Sequence, residues 1–159
     1  MILVHPVVSN WALLPLRNNC DVFKVFTKSK SLFLCHLVLI SSRSINRVLV
    51  LHLKRFRYTP TFQLEKIHDP VDLQRELVVS SGQDGACYSL ISTINHIGTT
   101  ARSGHYICDG VDPDVGPVDL TDRWFTYNDT VVTQTSGVNV CNQRQRSSYI
   151  LFYRRQPED

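Results

Sequence analysis

Short apolar and aromatic runs, separated by turn-forming residues, dominate the sequence from residue 47 onward. These runs are rich in the β-branched and aromatic residues that strands prefer. Long segments with the 3.6-residue apolar period of an amphipathic helix are scarce. Strands at such short intervals favour a meandering antiparallel sheet in the α+β class. The predicted strands are 48–56 (VLVLHLKRF), 87–95 (CYSLISTIN), 105–108, 124–127 and 148–153 (SYILFY).

The type or the burial of three segments can be considered in more detail. Residues 48–56 carry charge only at their end, which predicts a central strand buried on both faces. Residues 67–79 fit short extended or helical pieces. The apolar run 32–40 (LFLCHLVLI) fits either a buried strand or a short core helix, because periodicity does not separate the two over so short a run.

Charge is distributed unevenly along a chain that has room for one domain. The 159 residues are 43% hydrophobic and 19% charged, which excludes a disordered chain. Residues 1–47 hold six basic residues and one acidic residue, whereas residues 48–159 hold eleven basic and thirteen acidic residues. This change predicts an atypical, irregular N-terminal segment at 1–44 and a domain at 45–156. The net charge of +3 is too small to indicate a nucleic-acid partner.

The five cysteines are odd in number and no two stand at C-x-x-C spacing. A disulfide framework and a zinc ribbon are therefore both poorly supported, and reduced thiols in the cytoplasm or nucleus are expected. The apolar N-terminus lacks the basic residues that open a secretory signal. The run 32–40 is far shorter than the roughly 20 residues of a membrane-spanning helix, so no membrane partner is expected.

Five aspartates lie close together in the second half of the chain. Their spacing fails the calcium-loop pattern at its third position, so a solvated connection between strands is the better interpretation, and no metal site is predicted. They are Asp109, Asp112, Asp114, Asp119 and Asp122.

One histidine stands where a catalytic base could lie. His105 follows Gly104 at a predicted loop-to-strand boundary, and the sequence WFTYND brings Asn128 and Asp129 to the end of a later strand. If the two strands are antiparallel neighbours, His105 can donate through Nδ1 to either residue, which gives a base and its orienting group. A lone histidine is more often structural, so this remains a hypothesis at this point.

Four linked motifs in order resemble one enzyme family. They are RVLVLHLKRF, then YSLISTINHIGTTARSGHYICD, then WFTYND, then SSYILFY, together spanning about residues 44–155. The string around His105 resembles the histidine box of the ubiquitin-specific proteases, which are papain-like cysteine deubiquitinases. The resemblance implies a partial papain-like fold, mainly its antiparallel palm, and a chain that acts on ubiquitin or ubiquitin conjugates without a cofactor.

The resemblance also implies roles for individual residues. His105 matches the general base, Asn128 matches the third triad position, which is Asn or Asp in the family, and Asp129 matches the acid that follows it. Residues 96–104 resemble the flexible blocking loop beside the catalytic cleft. The substrate-binding residues expected around a slender channel for the Gly-Gly tail of ubiquitin are His96, Gly98, Gly104 and Tyr106.

The nucleophile of the family is the part of the pattern that these 159 residues lack. In the family it lies in a Gly-Asn-Thr-Cys-Tyr segment, which does not occur here. Cys20, in RNNCDVF, lacks both the glycine and the aromatic residue, and Cys108 is expected to face away from His105. We therefore expect no catalysis by this chain. The alternatives are a non-catalytic ubiquitin-binding or interaction module and a truncated gene product.

Overall fold

A computed structural model describes the backbone of residues 2–6, 22–26, 32–37, 47–81, 84–114 and 122–157. Side chains are described at 47–79, 86–114 and 122–157. Within these residues the chain forms twelve strands and one short helix. The strands are β1 (Ile2–Pro6), β2 (Val22–Phe26), β3 (Leu32–Leu37), β4 (Val48–Leu53), β5 (Phe56–Tyr58), β6 (Leu64–Lys66), β7 (Glu76–Ser81), β8 (Asp84–Ile97), β9 (His105–Val111), β10 (Trp124–Asn128), β11 (Val131–Thr135) and β12 (Ser148–Arg155), and the helix is α1 (Gly137–Gln143).

Ten of the strands form one sheet in which every described pairing is antiparallel. Its order is β11-β10-β9-β8-β12-β4-β3-β2, with β7 pairing to β8 and β1 pairing to β7. The 14-residue β8 is long enough to pair with β9, β12 and β7. Strands β5 and β6 form a separate hairpin. The predicted antiparallel sheet is confirmed, and it brings β9 and β10 side by side, as the hypothesis for His105 requires.

Some elements differ from their predicted form. The run 48–56 is not a single strand, because β4 ends at Leu53 and a new strand begins at Phe56. The run 32–40 contains the strand Leu32–Leu37, so the strand alternative holds there. The segment 1–44, expected to be irregular, contributes three described strands that pair with each other or with the domain. The domain boundary near residue 44 stays a prediction.

The helix α1 is an element that the sequence pattern did not predict. It is only seven residues long, and Ser136 caps its start by accepting a hydrogen bond from the Asn139 amide at 3.2 Å. Val140 and Cys141 turn into the core from the buried side of the helix. A helix this short gives too few repeats for its apolar period to be recognised.

The core is a single cluster of aliphatic and aromatic side chains on the face of the sheet that α1 covers. Trp124 and Tyr153 are 1% exposed, and the Tyr153 hydroxyl donates to the Gln74 carbonyl at 2.8 Å. The buried apolar members are Leu49, Leu51, Leu53, Val71, Leu73, Leu77, Val79, Ala86, Tyr88, Leu90, Trp124, Val140, Cys141, Leu151 and Tyr153.

A buried guanidinium connects three irregular segments at the edge of this core. Arg55 has no solvent exposure and donates to the carbonyls of Ser148 and Gln145, both at 2.6 Å. It also donates to the backbone carbonyls of Asp69 at 2.8 Å and of Ile67 at 3.3 Å. Burial is the main cause that lowers the pKa of Arg55 to about 10, so it stays charged at neutral pH. The carbonyls of Ile67, Asp69 and Gln145, which belong to no strand, thereby obtain hydrogen bonds.

Truncating the core at β4 should destabilise the whole domain. Leu53 is 1% exposed, so Leu53→Ala should lower the free energy of unfolding by about 2–5 kcal/mol through lost burial and the cavity left behind. Val48→Ala, on the same strand at a position 46% exposed, is the matched control and should change it by about 0.5 kcal/mol or less. Urea denaturation measures both, and equal effects would contradict this assignment of the core.

Candidate active site

The start of β9 and the end of β10 bring His105 and Asn128 together. The His105 Nε2 atom lies 2.5 Å from the Asn128 Oδ1 atom. An amide oxygen only accepts hydrogen bonds, so Nε2 carries the proton in this pair and Nδ1 of the neutral ring is left unprotonated. The two residues that the sequence predicted as base and orienting group are therefore in direct contact.

The nitrogen that makes this contact differs from the predicted one, which was Nδ1. Tyr127 is opposite Cys108 in the ladder, so Asn128 comes next, level with Ile107 and two positions along β9 from His105. The histidine must reach diagonally along the sheet. Nε2 lies at the tip of the ring and spans that offset, whereas Nδ1 lies nearer its own backbone.

Asp129 lies beside the pair in the tight turn between β10 and β11. Its Oδ2 atom is 3.7 Å from the His105 Nε2 atom, and its side chain is 78% exposed. Asn128 is opposite Val131, so the turn contains only two residues, and Asp129 adopts a φ of 52°. Aspartate tolerates this left-handed backbone better than most residues. Its water-exposed charge contributes little to holding the imidazole.

The predicted substrate-binding residues form a second group at the same end of the sheet. His96 is paired with Tyr106 in the β8–β9 ladder, and their rings lie 4.8 Å apart. Successive residues of a strand face opposite ways, so Tyr106 and His105 lie on opposite faces of β9. Tyr106 is 53% exposed, whereas His96 is buried.

The pKa of His96 is lowered, first by burial and then by the nearby charge of Lys66. A neutral ring fits this position, because its Nδ1 atom is buried and makes no hydrogen bond to any described residue. The ring packs against Gly104, where a Cβ atom would collide with its Nε2 and Cε1 atoms. Glycine at position 104 thus lets the backbone that leads into His105 pass beside the His96 ring.

Gly98 begins the loop that precedes His105, with a φ of 153°. A Cβ atom there would lie 2.8 Å from the Ser103 carbonyl oxygen and 2.9 Å from the Gly104 Cα atom. The two ends of the loop therefore approach each other more closely than a side chain at position 98 would permit. The Ser103 amide donates to the Thr100 hydroxyl at 3.2 Å within the loop.

A buried network, which the sequence did not predict, lies on the His105 face of the sheet. Asp109 was expected in a solvated loop, but it lies inside β9 with no exposure. Arg144 donates to its carboxylate through Nε at 2.8 Å and through Nη2 at 3.2 Å. Thr126, opposite Asp109 on β10, donates at 2.5 Å, and the Asn95 amide donates from β8 at 2.8 Å.

The charge of Asp109 is stabilised by these donors. Burial by itself raises the pKa of Asp109, but the bonds from Arg144 and Thr126 outweigh it, so the pKa lies below the ordinary value of 3.8. Asp109 occupies the third position, after His105 and Ile107, on one face of β9. The network therefore fixes β8, β9 and β10 next to the pair formed by His105 and Asn128.

Two of the other aspartates predicted in the solvated connection form ion pairs with arginines. Asp112 lies 3.4 Å from Arg123, and Asp122 lies 2.6 Å from Arg75. Among the described residues no three metal-ligating side chains form a cluster that could hold an ion. Asp119 lies outside the described residues. No helix in the described part of the chain is long and apolar enough to cross a membrane.

Three cysteine side chains are described, and all three are free thiols. Burial raises the pKa of Cys141 to about 11, so this thiol is protonated at neutral pH and unreactive. Cys108 is half-buried, 3.4 Å from the Ser92 hydroxyl, on the face of β9 opposite His105. Cys87 is exposed on β8. The side chains of Cys20 and Cys35 lie outside the described residues.

Comparison with known proteins assigns the chain to a family. The family model described as ubiquitin carboxyl-terminal hydrolase matches residues 18–153. The chain belongs to this family. It is a deubiquitinase-family domain, as the histidine-box resemblance predicted. The match begins upstream of residue 44, the predicted end of the N-terminal segment.

Two of the curated relatives illustrate the similarity. Human ubiquitin carboxyl-terminal hydrolase 37 is 46% identical over 66 residues, which is 42% of this chain and 6% of the relative. Ubiquitin hydrolase B of Dictyostelium discoideum is 32% identical over 116 residues, 71% of this chain and 24% of the relative. The chain thus spans a quarter or less of the length of these two relatives.

Solved structures share the fold. The Ubp8-Sgf11-Sgf73-Sus1 SAGA DUB module contains a chain that is 28% identical, with a TM-score of 0.59 over 73% of this chain and 25% of that one. The SAGA DUB module bound to ubiquitin aldehyde has the same TM-score at 22% identity, over 93% of this chain and 32% of that one, and shows the fold alone. The predicted partial papain-like fold, mainly antiparallel, is confirmed.

Removing the charge of Asp109 should lower stability at neutral pH and flatten its pH dependence. Asp109→Asn leaves the Arg144 side chain, which is only 15% exposed, without its charged partner, which should cost about 3–5 kcal/mol of unfolding free energy at pH 7. Because the folded pKa is depressed, the wild-type contribution is present above the unfolded pKa and is lost as the pH falls through the folded value below 3.8. The unfolding free energy of the Asp109→Asn variant should therefore fall less than that of the wild type as the pH is lowered.

Urea denaturation between about pH 7 and pH 2 measures the effect. The matched control is Asp114→Asn, at an exposed position, which should shift the unfolding free energy by about 0.5 kcal/mol or less. An Asp109→Asn protein with wild-type stability at pH 7 would contradict the assigned role of the network.

Proposed function

We propose that this chain supplies the base and its orienting residue for thiol-dependent hydrolysis of ubiquitin isopeptide bonds. The observation that carries the proposal is the 2.5 Å contact between the His105 Nε2 and Asn128 Oδ1 atoms at the end of two neighbouring strands. Membership of the ubiquitin carboxyl-terminal hydrolase family supports the reaction class, and the names of the relatives support ubiquitin conjugates as substrates.

In this mechanism His105 acts in turn as a base and as an acid. Its unprotonated Nδ1 atom takes the proton of a cysteine thiol, and the thiolate forms a bond to the isopeptide carbonyl carbon. The imidazolium then returns a proton to the lysine amine as the C–N bond breaks. Asn128 accepts from Nε2–H throughout, which holds the ring plane without adding charge. Water then releases ubiquitin from the thioester, and His105 again serves as the base.

None of these 159 residues forms the Gly-Asn-Thr-Cys-Tyr segment that carries the nucleophile in the family. Of the described thiols, Cys141 is protonated in the core and Cys108 lies on the wrong face of β9. We therefore propose that these 159 residues have no hydrolase activity on their own. The segment that carries the family's cysteine must complete the site before His105 can act.

The second candidate function is ubiquitin binding without chemistry. It is favoured by two exposed tyrosines on one face at this end of the sheet, since Tyr106 is 53% exposed and Tyr127, opposite Cys108 in the ladder, is 39% exposed. Aromatic groups of this kind commonly anchor protein interfaces. The surface would keep this capacity whether or not a nucleophile is present.

The purified 159-residue chain should neither hydrolyse a fluorogenic ubiquitin amide nor be labelled by a thiol-reactive ubiquitin probe. The reason is that a base without a nucleophile provides little of the acceleration of a triad.

A ubiquitin titration followed by NMR in the same preparation tests the second candidate. Binding without turnover supports a binding module, and turnover or labelling contradicts the proposed lack of activity.

A chimera tests the proposed roles of His105 and Asn128 directly. The cysteine-bearing first part of the catalytic domain of hydrolase 37, joined to residues 45–156, should hydrolyse the fluorogenic substrate. In that chimera His105→Gln should lower kcat/KM by about 10³-fold or more, whereas Asn128→Asp should keep most of it because Asp also accepts from Nε2–H. Thr133→Ser, on exposed β11, is the control. Full activity of the His105→Gln chimera would contradict the mechanism.

A further inference from the structure

Lys66 is a buried cation that contacts the backbone next to the candidate site. It ends β6 and is 6% exposed. Its Nζ atom donates to the His96 carbonyl at 2.8 Å and to the Gly98 carbonyl at 2.7 Å. These carbonyls lie at the end of β8 and at the first residue of the loop 98–104. A side chain of the separate β5–β6 hairpin thus reaches the loop that leads into His105.

The loop has a narrow base that this contact holds. Gly98 lies against Ser103 and Gly104, so whatever fixes Gly98 also restricts the residue that precedes His105. His68 adds a peripheral bond, with its Nε2 atom 3.0 Å from the Thr99 carbonyl. The outer residues Thr99, Thr100, Arg102 and Ser103 are exposed. The base is therefore held, while the outer part of the loop faces solvent.

The surroundings of Lys66 indicate a role beyond stability. Its pKa is lowered, first by burial and then by the charge of Arg55. Among the described residues no carboxylate forms an ion pair with it. A buried cation without an opposite charge is a poor source of stability, and an apolar side chain of similar length commonly does as well. What an apolar side chain does not supply is two N–H donors directed at these carbonyls.

We propose that Lys66 is a positioning residue: by holding the carbonyls of His96 and Gly98, it sets the path of the loop base and thereby the placement of His105 against Asn128. This inference rests on the proposed function for its catalytic meaning. The two hydrogen bonds of Lys66 are present in the chain without substrate, so they can be tested separately from catalysis. The outer part of the loop can then move for a substrate tail while the histidine stays aligned.

Lys66→Met tests the proposal, because methionine keeps the apolar stem and removes the donors. In the 159-residue chain, hydrogen exchange at residues 97–105 should accelerate by about tenfold or more, the size expected for losing bonds to a charged donor. The side-chain amide signals of Asn128 should shift in the NMR spectrum. Exchange in β4 and β12, which reports global stability, should change far less.

The control is Arg57→Met on the same hairpin. Arg57 pairs with Glu65 at 2.9 Å, and both side chains are exposed, so this variant loses a cation without touching the loop. It should leave exchange at 97–105 and the Asn128 signals unchanged. Wild-type loop exchange and unmoved Asn128 signals in a folded Lys66→Met protein would overturn the proposal. So would equal effects of the two variants.

A measurement on the wild-type chain covers the case in which Lys66→Met does not fold. In protein labelled uniformly with ¹⁵N and ¹³C, cross-hydrogen-bond couplings from the Lys66 Nζ atom to the carbonyl carbons of His96 and Gly98 should be detectable, and their absence overturns the proposal. Failure of the proposed function is seen separately. It would appear as an inactive chimera with no ubiquitin binding, while the loop and Asn128 effects of Lys66→Met persist.

Discussion

The bidentate bond between Arg144 and the buried carboxylate of Asp109 is the interaction on which the candidate site depends. Arg144 follows the last turn of α1, and Asp109 lies in the middle of β9, so the pair joins the helix to the sheet. Thr126 and Asn95 bring β10 and β8 to the same carboxylate. Charged hydrogen bonds in a dry environment tolerate little displacement. The two catalytic candidates therefore stand on strands whose relative positions are tightly fixed.

Cations also organise the irregular backbone elsewhere in the domain. Arg55 donates to the carbonyls of Asp69 and Gln145, and Lys66 donates to the carbonyl of Gly98, all of which lie outside the sheet ladders. Each buried carbonyl requires a donor, and a long basic side chain can supply one where no neighbouring strand is available. In this way the irregular segments around residues 67–69, 98 and 145 obtain a defined shape without belonging to a strand.

The sequence predicted the antiparallel sheet and the contact of His105 with Asn128, because both follow from local patterns and linked motifs. It misplaced Asp109, since proline, glycine and further aspartates follow it and conceal that it continues the alternation of His105 and Ile107. That alternation is the signal that could have revealed it. No local pattern indicates that Arg55 and Lys66 are buried or that Arg144 is mostly covered, because their partners are distant in sequence and basic side chains are usually exposed.

The position of β12 has a consequence for how the domain is assembled during synthesis. It lies between β4 and β8 in the middle of the sheet, and Leu151 pairs with Leu51. Until residues 148–155 have left the ribosome, β4 and β8 each present an unpaired edge of buried-type residues. Contacts across so long a stretch of chain form slowly, and open edges of this kind invite pairing with other chains. Chaperone protection during translation would therefore matter more for this domain than for one whose central strand is made early.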